Sequence, residues 1–437
     1  MYRSSSFQLA IGFRSTFFVL FTFLLISGTV SSAFALPQFA LLRGDVSCMG
    51  CHVNPTGGEL RGPGGESFAI EQLPMWNRGD KFTGAIGDNF RIGMDFRSQY
   101  LSYVDAITTP SDSLGGVKSR RLTNLRTFQG MAMPLYVSAQ LTKTLVIFGR
   151  YDFFYGQSEA WGLLHFVHPS GEIVKSGDVV GDAYIKAGAF EPAFGIRFDD
   201  HTIYTRNGDA QLQNIPQTGL FWSPEYRDIG VELGTTILDH LGLTVGYFDG
   251  LERTPGQTLS FDTSGRMALV FRGVFSTEIV EDMLSIEVGG SYYTHSHNTN
   301  PFIASPLVTT SIDAMHGGFR AGPVTVMTEF DFAKNLPSSN GILHTAKAMV
   351  VQGDVKIVKG LDGYIRFDSY SDTDTNGLLF TNVKSRYSIG FQWVPIRFLE
   401  LRPEFRVANV VQPDVSFTGR QDKHTETTFF IQTHVYF

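Results

Sequence analysis

Cys48 and Cys51 are the only two cysteines in a chain of 437 residues, and His52 follows the second directly, in "VSCMGCHVNPTGG" (46–58). Two thiols and an imidazole at C-x-x-C-H spacing form the attachment sequence for c-type haem. Each thiol can add across one haem vinyl group, and His52 can place its imidazole on the iron. Other chemistries also use paired cysteines. A thioredoxin-like dithiol needs a βαβ context, which the sequence lacks. A structural zinc site needs four ligands, and there is no second cysteine pair. A bare disulfide suits an oxidising compartment but leaves His52 without a role. One covalent haem c is therefore the expectation. Met75, in "QLPMW", is the candidate for the sixth iron position, where a His/Met pair raises the potential. Met94 comes second, and histidines of a surrounding wall are further candidates.

Haem attachment takes place outside the cytoplasm, and the first residues agree with export. Arg3 and Arg14 give a basic start, Phe17 to Ile26 is an unbroken apolar run, and Ala33-Phe34-Ala35 supplies an A-x-A site. That order is a secretory signal peptide over residues 1–35, cleaved before Leu36. The apolar run is short for a membrane anchor, which needs about 20 residues. Loss of Arg3 and Arg14 leaves 33 basic against 42 acidic residues. A chain so acidic is a poor candidate for nucleic acid, which calls for a basic patch.

The elements that must position the motif are strands. Gly (46), Phe (38) and Tyr (16) are abundant while charge is only 18%, a balance that suits a β-rich chain with many turns. From about residue 88, alternating segments are separated by turn chemistry. Leu284, Ile286, Val288 and Tyr292 oppose Ser285, Glu287, Gly289 and Ser291. Val324, Val326, Phe330 and Phe332 oppose Thr325, Glu329 and Asp331. Glu400, Arg402, Glu404 and Arg406 alternate with Leu399, Leu401, Pro403 and Phe405. Period two puts each set on one strand face. A soluble sandwich and a transmembrane barrel share this pattern. Long strands, charges of both signs on the polar face, and short connectors (142–144, 239–242, 320–323, 394–397) alternating with long ones favour the barrel. The fold class is all-β: a transmembrane antiparallel β-barrel of about 16 strands over residues 88–437, preceded by a small N-terminal c-type haem segment. Connector order fits least well over 157–181. The last strand, "TFFIQTHVYF", resembles the C-terminal signal of outer-membrane barrels.

Residues 36–87 must supply the surroundings of the haem, yet about fifty residues rich in Gly and Pro cannot build a core of their own. The segment is expected to lean on the barrel and to plug its periplasmic mouth. Gly57, Gly58, Gly62, Gly64 and Gly65 would let backbone pass close to the macrocycle or the wall.

The stretch "YIKAGAFEPAFGIRFDDHTIYTRN" (184–207) resembles the phosphate-selective porin group, in which a strand with G-x-F leads into a Pro/Phe segment folded into the pore. The resemblance implies a constriction at Arg197, Asp199, Asp200, His201 and Arg206; their mixed charges do not carry phosphate selectivity with it. A packed extracellular loop is the other reading of this connector. His295 and His297, in "THSHNT", read as solvated loop residues, with metal gathering as the minor alternative.

With the signal peptide, "LPQFA" (36–40), the haem motif and a barrel of this length, the whole chain resembles the fused monohaem c-type cytochrome–porins of bacterial outer membranes, a group that includes iron-oxidising outer-membrane cytochromes. That resemblance implies outer-membrane lipid, an extracellular redox donor or acceptor such as Fe(II), and a periplasmic c-type cytochrome or other electron carrier as partners. It implies an electron-transfer protein rather than a conventional enzyme. The alternative is a substrate-selective pore whose haem is structural or sensory. No constellation of an open iron and a catalytic distal group is visible in the sequence.

Overall fold

In the strand at 381–396, Lys384, Arg386, Ser388 and Gln392 are buried while Tyr387, Ile389 and Phe391 are exposed. This inversion, apolar outside and charged inside, runs through the molecule and is the signature of a barrel whose solvent on the outer face is lipid. The computed structural model describes residues 41, 48–77, 82–87, 89–108, 120–154, 156–167, 180–198, 200, 202–206, 227–250, 266–298, 307–337, 343–374, 381–413 and 421–437. Residues 1–40, and with them the expected signal peptide and "PQFA", lie outside the described residues.

Sixteen barrel strands are present among the described residues. They are β1 (Phe90–Thr108), β2 (Arg120–Ala132, continuing as Pro134–Gln140), β3 (Leu145–Asp152), β4 (Gln157–Val167), β5 (Val180–Phe190), β6 (Asp228–Ile237), β7 (Leu241–Phe248) and β8 (Ala268–Val280). The second half comprises β9 (Leu284–Asn298), β10 (Leu307–Ala321), β11 (Val324–Pro337), β12 (Leu343–Val358), β13 (Leu361–Asp374), β14 (Thr381–Ile396), β15 (Leu399–Pro413) and β16 (Gln421–Tyr436). β2 is interrupted at Met133, beside a proline that has no N–H for the ladder. Both of its halves pair with β1, Ala132 opposite Arg97 and Leu135 opposite Met94. Each strand pairs antiparallel with the next, and β16 pairs with β1 from Tyr436↔Asp95 to His424↔Ile107. No edge is left open, which is what permits β-structure in a bilayer. The expected fold class and strand count are borne out.

Connectors separate by length. Tight turns at 238–240, 281–283, 322–323, 359–360 and 397–398 share one end, here the turn end. Leu238 and Asp239 take φ of 53° and 59° there, the backbone that two-residue hairpins favour because it matches strand twist. The opposite, loop end carries the long connectors with two departures: 153–156 between β3 and β4 is short there, and 168–179 between β4 and β5 is long at the turn end. These two links are why connector order over 157–181 departs from the alternation.

The interior is filled. Phe148 and Trp161 stack with ring centroids 4.7 Å apart, and around them lie Leu60, Tyr184, Phe190, Phe194, Tyr204, Phe248 and Tyr370. A wholly polar lumen is therefore not what the inner face makes. Two chain segments enter the barrel and need apolar partners there.

A candidate haem site and the charged interior around it

The two cysteines sit on one tight turn. Cys48–Gly50 is a 3-10 turn, and the Cys48 carbonyl accepts from the backbone N–H groups of Cys51 (3.1 Å) and His52 (2.8 Å). The turn holds both thiols and the imidazole within one short arc. Return contacts close it: Cys48 N–H donates to Pro55 O, Val53 N–H to Leu60 O, and Gly62 N–H to Cys51 O. Helix α1 (Pro63–Glu71) starts at once, with proline in its first turn. Its first turn packs on the motif, so that a Cβ at Gly64 or Gly65 would stand 2.1 Å from the carbonyl oxygens of Gly50 or Cys51. Only glycine permits that approach.

The residues fit a covalent haem. Neither cysteine is in a disulfide. Cys48, Cys51 and His52 keep part of their surface accessible although the barrel encloses them, so they border internal space. His52 Nδ1 is buried with no hydrogen-bond partner among the described residues. Burial, helped by Arg61 and Arg197, pushes the His52 imidazole down to about 4. It is thus neutral at physiological pH, the form a metal ligand requires. Burial pushes the Cys48 thiol up to about 11, so it is a protonated thiol and not a reactive thiolate.

Residues 48–76 are fastened to the inner wall along their length. Asn54 Oδ1 accepts from Lys186 Nζ of β5 (3.2 Å), and Lys186 also pairs with Glu232 of β6 at 2.8 Å. Arg61 stacks 4.5 Å over the ring of Tyr436. Beyond α1, Met75 N–H donates to Val394 O and Trp76 N–H to Pro395 O. Met75 is therefore anchored against β14, at the far end of α1 from His52, about 14 Å of helix away. Met94 lies on the outward face of β1, in register with the exposed Leu135, and is turned from the interior.

Arg197, Asp200 and Arg206 all lie inside the barrel, not in a loop covering its mouth. Arg206 donates to both oxygens of Glu329 on β11 (2.7 and 3.3 Å) and to the carbonyls of Ile196 and Phe194. Asp200 accepts from Arg366 of β13 (2.8 Å) and Arg406 of β15 (3.0 Å). Burial alone would raise the Asp200 carboxyl; these two guanidiniums outweigh it and hold the group well below its ordinary value. Arg197 pairs with Glu191 (2.8 Å) and with Glu59 of the haem segment (3.3 Å). Asp199 and His201 lie outside the described residues. His295 is a buried residue of β9, not a solvated loop residue, and the side chain of His297 lies outside the described residues. Among the described residues no three His, Cys, Asp or Glu side chains converge as a metal site.

Sequence reading missed Glu59, Glu159 and Arg227. Glu159 is bonded to the Arg227 guanidinium, which also lies 3.6 Å from Glu59. Period two marks Glu159 as inward-facing, but nothing local marks Glu59 as its neighbour.

Comparison with solved structures supports this architecture. Pseudomonas putida OprB, in its high-pH structure, matches 84% of this chain and 100% of its own at a TM-score of 0.51, with 10% identity. This chain has an outer-membrane, porin-like barrel fold. The outer membrane channel DcaP of Acinetobacter baumannii matches 80% of this chain and 99% of its own at 11% identity and a TM-score of 0.48. No protein-family model matches the chain, and no curated protein does.

Proposed function

We propose that this chain is a monohaem cytochrome fused to a porin-like barrel of the bacterial outer membrane. It transfers single electrons between an extracellular donor or acceptor, Fe(II) among the candidates, and a periplasmic c-type cytochrome or other carrier. The observation that carries this reading is the C-x-x-C-H turn itself, enclosed by the barrel and bordering internal space. A bound haem c would supply a one-electron couple at that place. Cys48 and Cys51 would tether it, and His52, kept neutral by burial, would hold the iron. The packed glycines of α1 fix the turn, and the apolar cluster around Leu60 limits water, a setting that tunes a redox centre.

A bilayer with its headgroups is about 40–45 Å thick, more than one efficient tunnelling step. A single centre inside the barrel therefore works with partners on both sides. The test is anaerobic addition of Fe(II) to the purified protein, followed by its visible spectrum. Covalent haem reduced by an external one-electron donor supports the proposal; haem that ignores every such donor would sink it.

A second reading has a specific observation behind it. The segment 191–206 folds into the interior, as the constriction of a substrate-selective pore does, with haem as a structural or sensory accessory. Planar-bilayer recordings separate the two: electron transfer through a filled barrel expects little ion conductance, a pore expects steady open channels.

A further inference from the structure

Glu59, seven residues beyond His52, faces another carboxylate. Glu159, on the inner face of β4, shares the Arg227 guanidinium with it, and no donor among the described residues reaches Glu59 Oε2. Two buried carboxyl groups gathered on one guanidinium favour holding a proton in common. The charges around the pair come from every side. Arg197 of the inward segment lies 3.3 Å from Glu59 and 2.8 Å from Glu191. Arg227, just before β6, is bonded to Glu159 and stands 3.6 Å from Glu59 and 4.0 Å from Glu191. Arg150 of β3 is paired with Asp152 at 3.3 Å, and Arg206 is paired with Glu329 at 2.7 Å and Asp331 at 3.8 Å.

With the Arg150–Asp152 pair self-compensated, three carboxylates stand against two guanidiniums. Full ionisation leaves one uncompensated negative charge in a buried place, where such a charge is costly. One shared proton removes it. Gly58, beside Glu59, packs on the Arg197 guanidinium and Gly57 packs on Cys48 Sγ, so the cluster borders the C-x-x-C-H turn, and charge on a haem held there and charge in the cluster would influence each other.

We infer that the Glu59–Glu159 pair is a proton site coupled to electron transfer: the protein takes up a proton in the cluster as it takes up an electron at the haem. This rests on the haem reading proposed above. The balance is simple. A haem held by Cys48, Cys51 and His52 would take the one electron that a one-electron reductant loses; the pair would gain one proton from water, forming one O–H bond, and the net charge of the interior would be unchanged. Reoxidation releases both.

The experiment is a potentiometric titration of the purified, haem-loaded protein across the neutral pH range, with infrared difference spectra of the two redox states. The midpoint potential is expected to fall as pH rises, with a slope approaching about 59 mV per pH unit, one proton per electron. A carboxyl C=O band is expected to appear on reduction. Glu159→Gln should flatten the slope and remove the band, since the amide N–H permanently supplies the hydrogen between the two groups. Glu59→Gln is the second variant and should do the same. A potential independent of pH, or a slope unchanged in both variants, overturns the coupling while the haem reading stands. Absence of covalent haem, read separately from a haem stain, overturns both.

Discussion

Two segments cross the interior of the barrel, and different forces hold them. The inward segment 190–206 is fixed by charge: Arg206 to Glu329, and Asp200 to Arg366 and Arg406, while Arg386 donates to the Thr202 carbonyl at 2.6 Å. Its apolar residues, Phe194, Ile203 and Tyr204 among them, are buried as well. The haem segment 48–76 is fixed mainly through its backbone and through single contacts: the closed turn of the motif, Asn54 on Lys186, Arg61 on Tyr436, and Met75 and Trp76 against β14. Among the described residues Glu59 joins the two segments by charge through Arg197, and Arg227, just before β6, lies beside it. The difference separates two tasks. A buried fork of Arg and carboxylate fails badly when one partner is lost, which suits a wall that must not move. A segment held by many small contacts tolerates local change, which suits the proposal that it admits a haem.

The largest effect belongs to the haem segment and leaves the barrel intact. Replacing both cysteines (Cys48→Ala with Cys51→Ala) is expected to abolish covalent haem completely, while heat-modifiable gel migration still reports a folded barrel. Loss of the barrel together with the haem would mean that the two regions are not separable.

Next comes Arg206→Ala, which takes the guanidinium away from the buried Glu329 and Asp331 and from the carbonyls of Phe194, Ile196 and Thr205. A cost of about 3–5 kcal/mol is expected, the usual penalty for breaking a buried pair from one side. Denaturant unfolding from detergent measures it, and a cost no larger than that of a surface mutation would contradict the comparison.

A third prediction concerns acid. Because Arg366 and Arg406 hold Asp200 below its ordinary value, its folded-state value lies under the unfolded one of about 3.9. The stabilisation is therefore complete at neutral pH and is lost as pH falls below about 4. Asp200→Asn should cost about 2 kcal/mol at neutral pH, and the gap to the parent protein should close in that acid window. A gap constant with pH would show that the charge of Asp200 is not what fixes the segment.

The smallest effect is expected from Asn54→Ala. Lys186 keeps Glu232, and the two bonds from Thr56 to Asn54 Oδ1 are local and partly solvent-accessible, so the net loss is about 1 kcal/mol. Limited proteolysis sharpens the comparison: cleavage within 48–76 should quicken while 190–206 remains protected.

Much of the barrel was legible because its information is local. Leu399, Leu401, Pro403 and Phe405 against Glu400, Arg402, Glu404 and Arg406 already state which side of a strand faces lipid, and Glu404 and Arg406 are indeed buried. Sixteen such segments, read one at a time, add up to the observed strand set. The proposed haem turn is equally local, a motif of five residues whose spacing points to that chemistry. Less was legible about what meets inside. Met75 looked close to the motif in sequence, but α1 stands between it and His52, and its backbone is bonded to β14. His295 looked like a loop residue because β9 extends farther than its pattern suggested.

By itself the sequence determined the class of fold and the inward and outward sides of its strands, and it marked the C-x-x-C-H turn on which the haem proposal rests. These depend on residue type and short spacing. Only the tertiary structure decided that Glu59 meets Glu159, Arg197 and Arg227, and that Arg206 reaches Glu329 from 123 residues away. Closing the barrel brings opposite walls and two inserted segments into contact, and buried charges then pair across distances in sequence that no local pattern encodes.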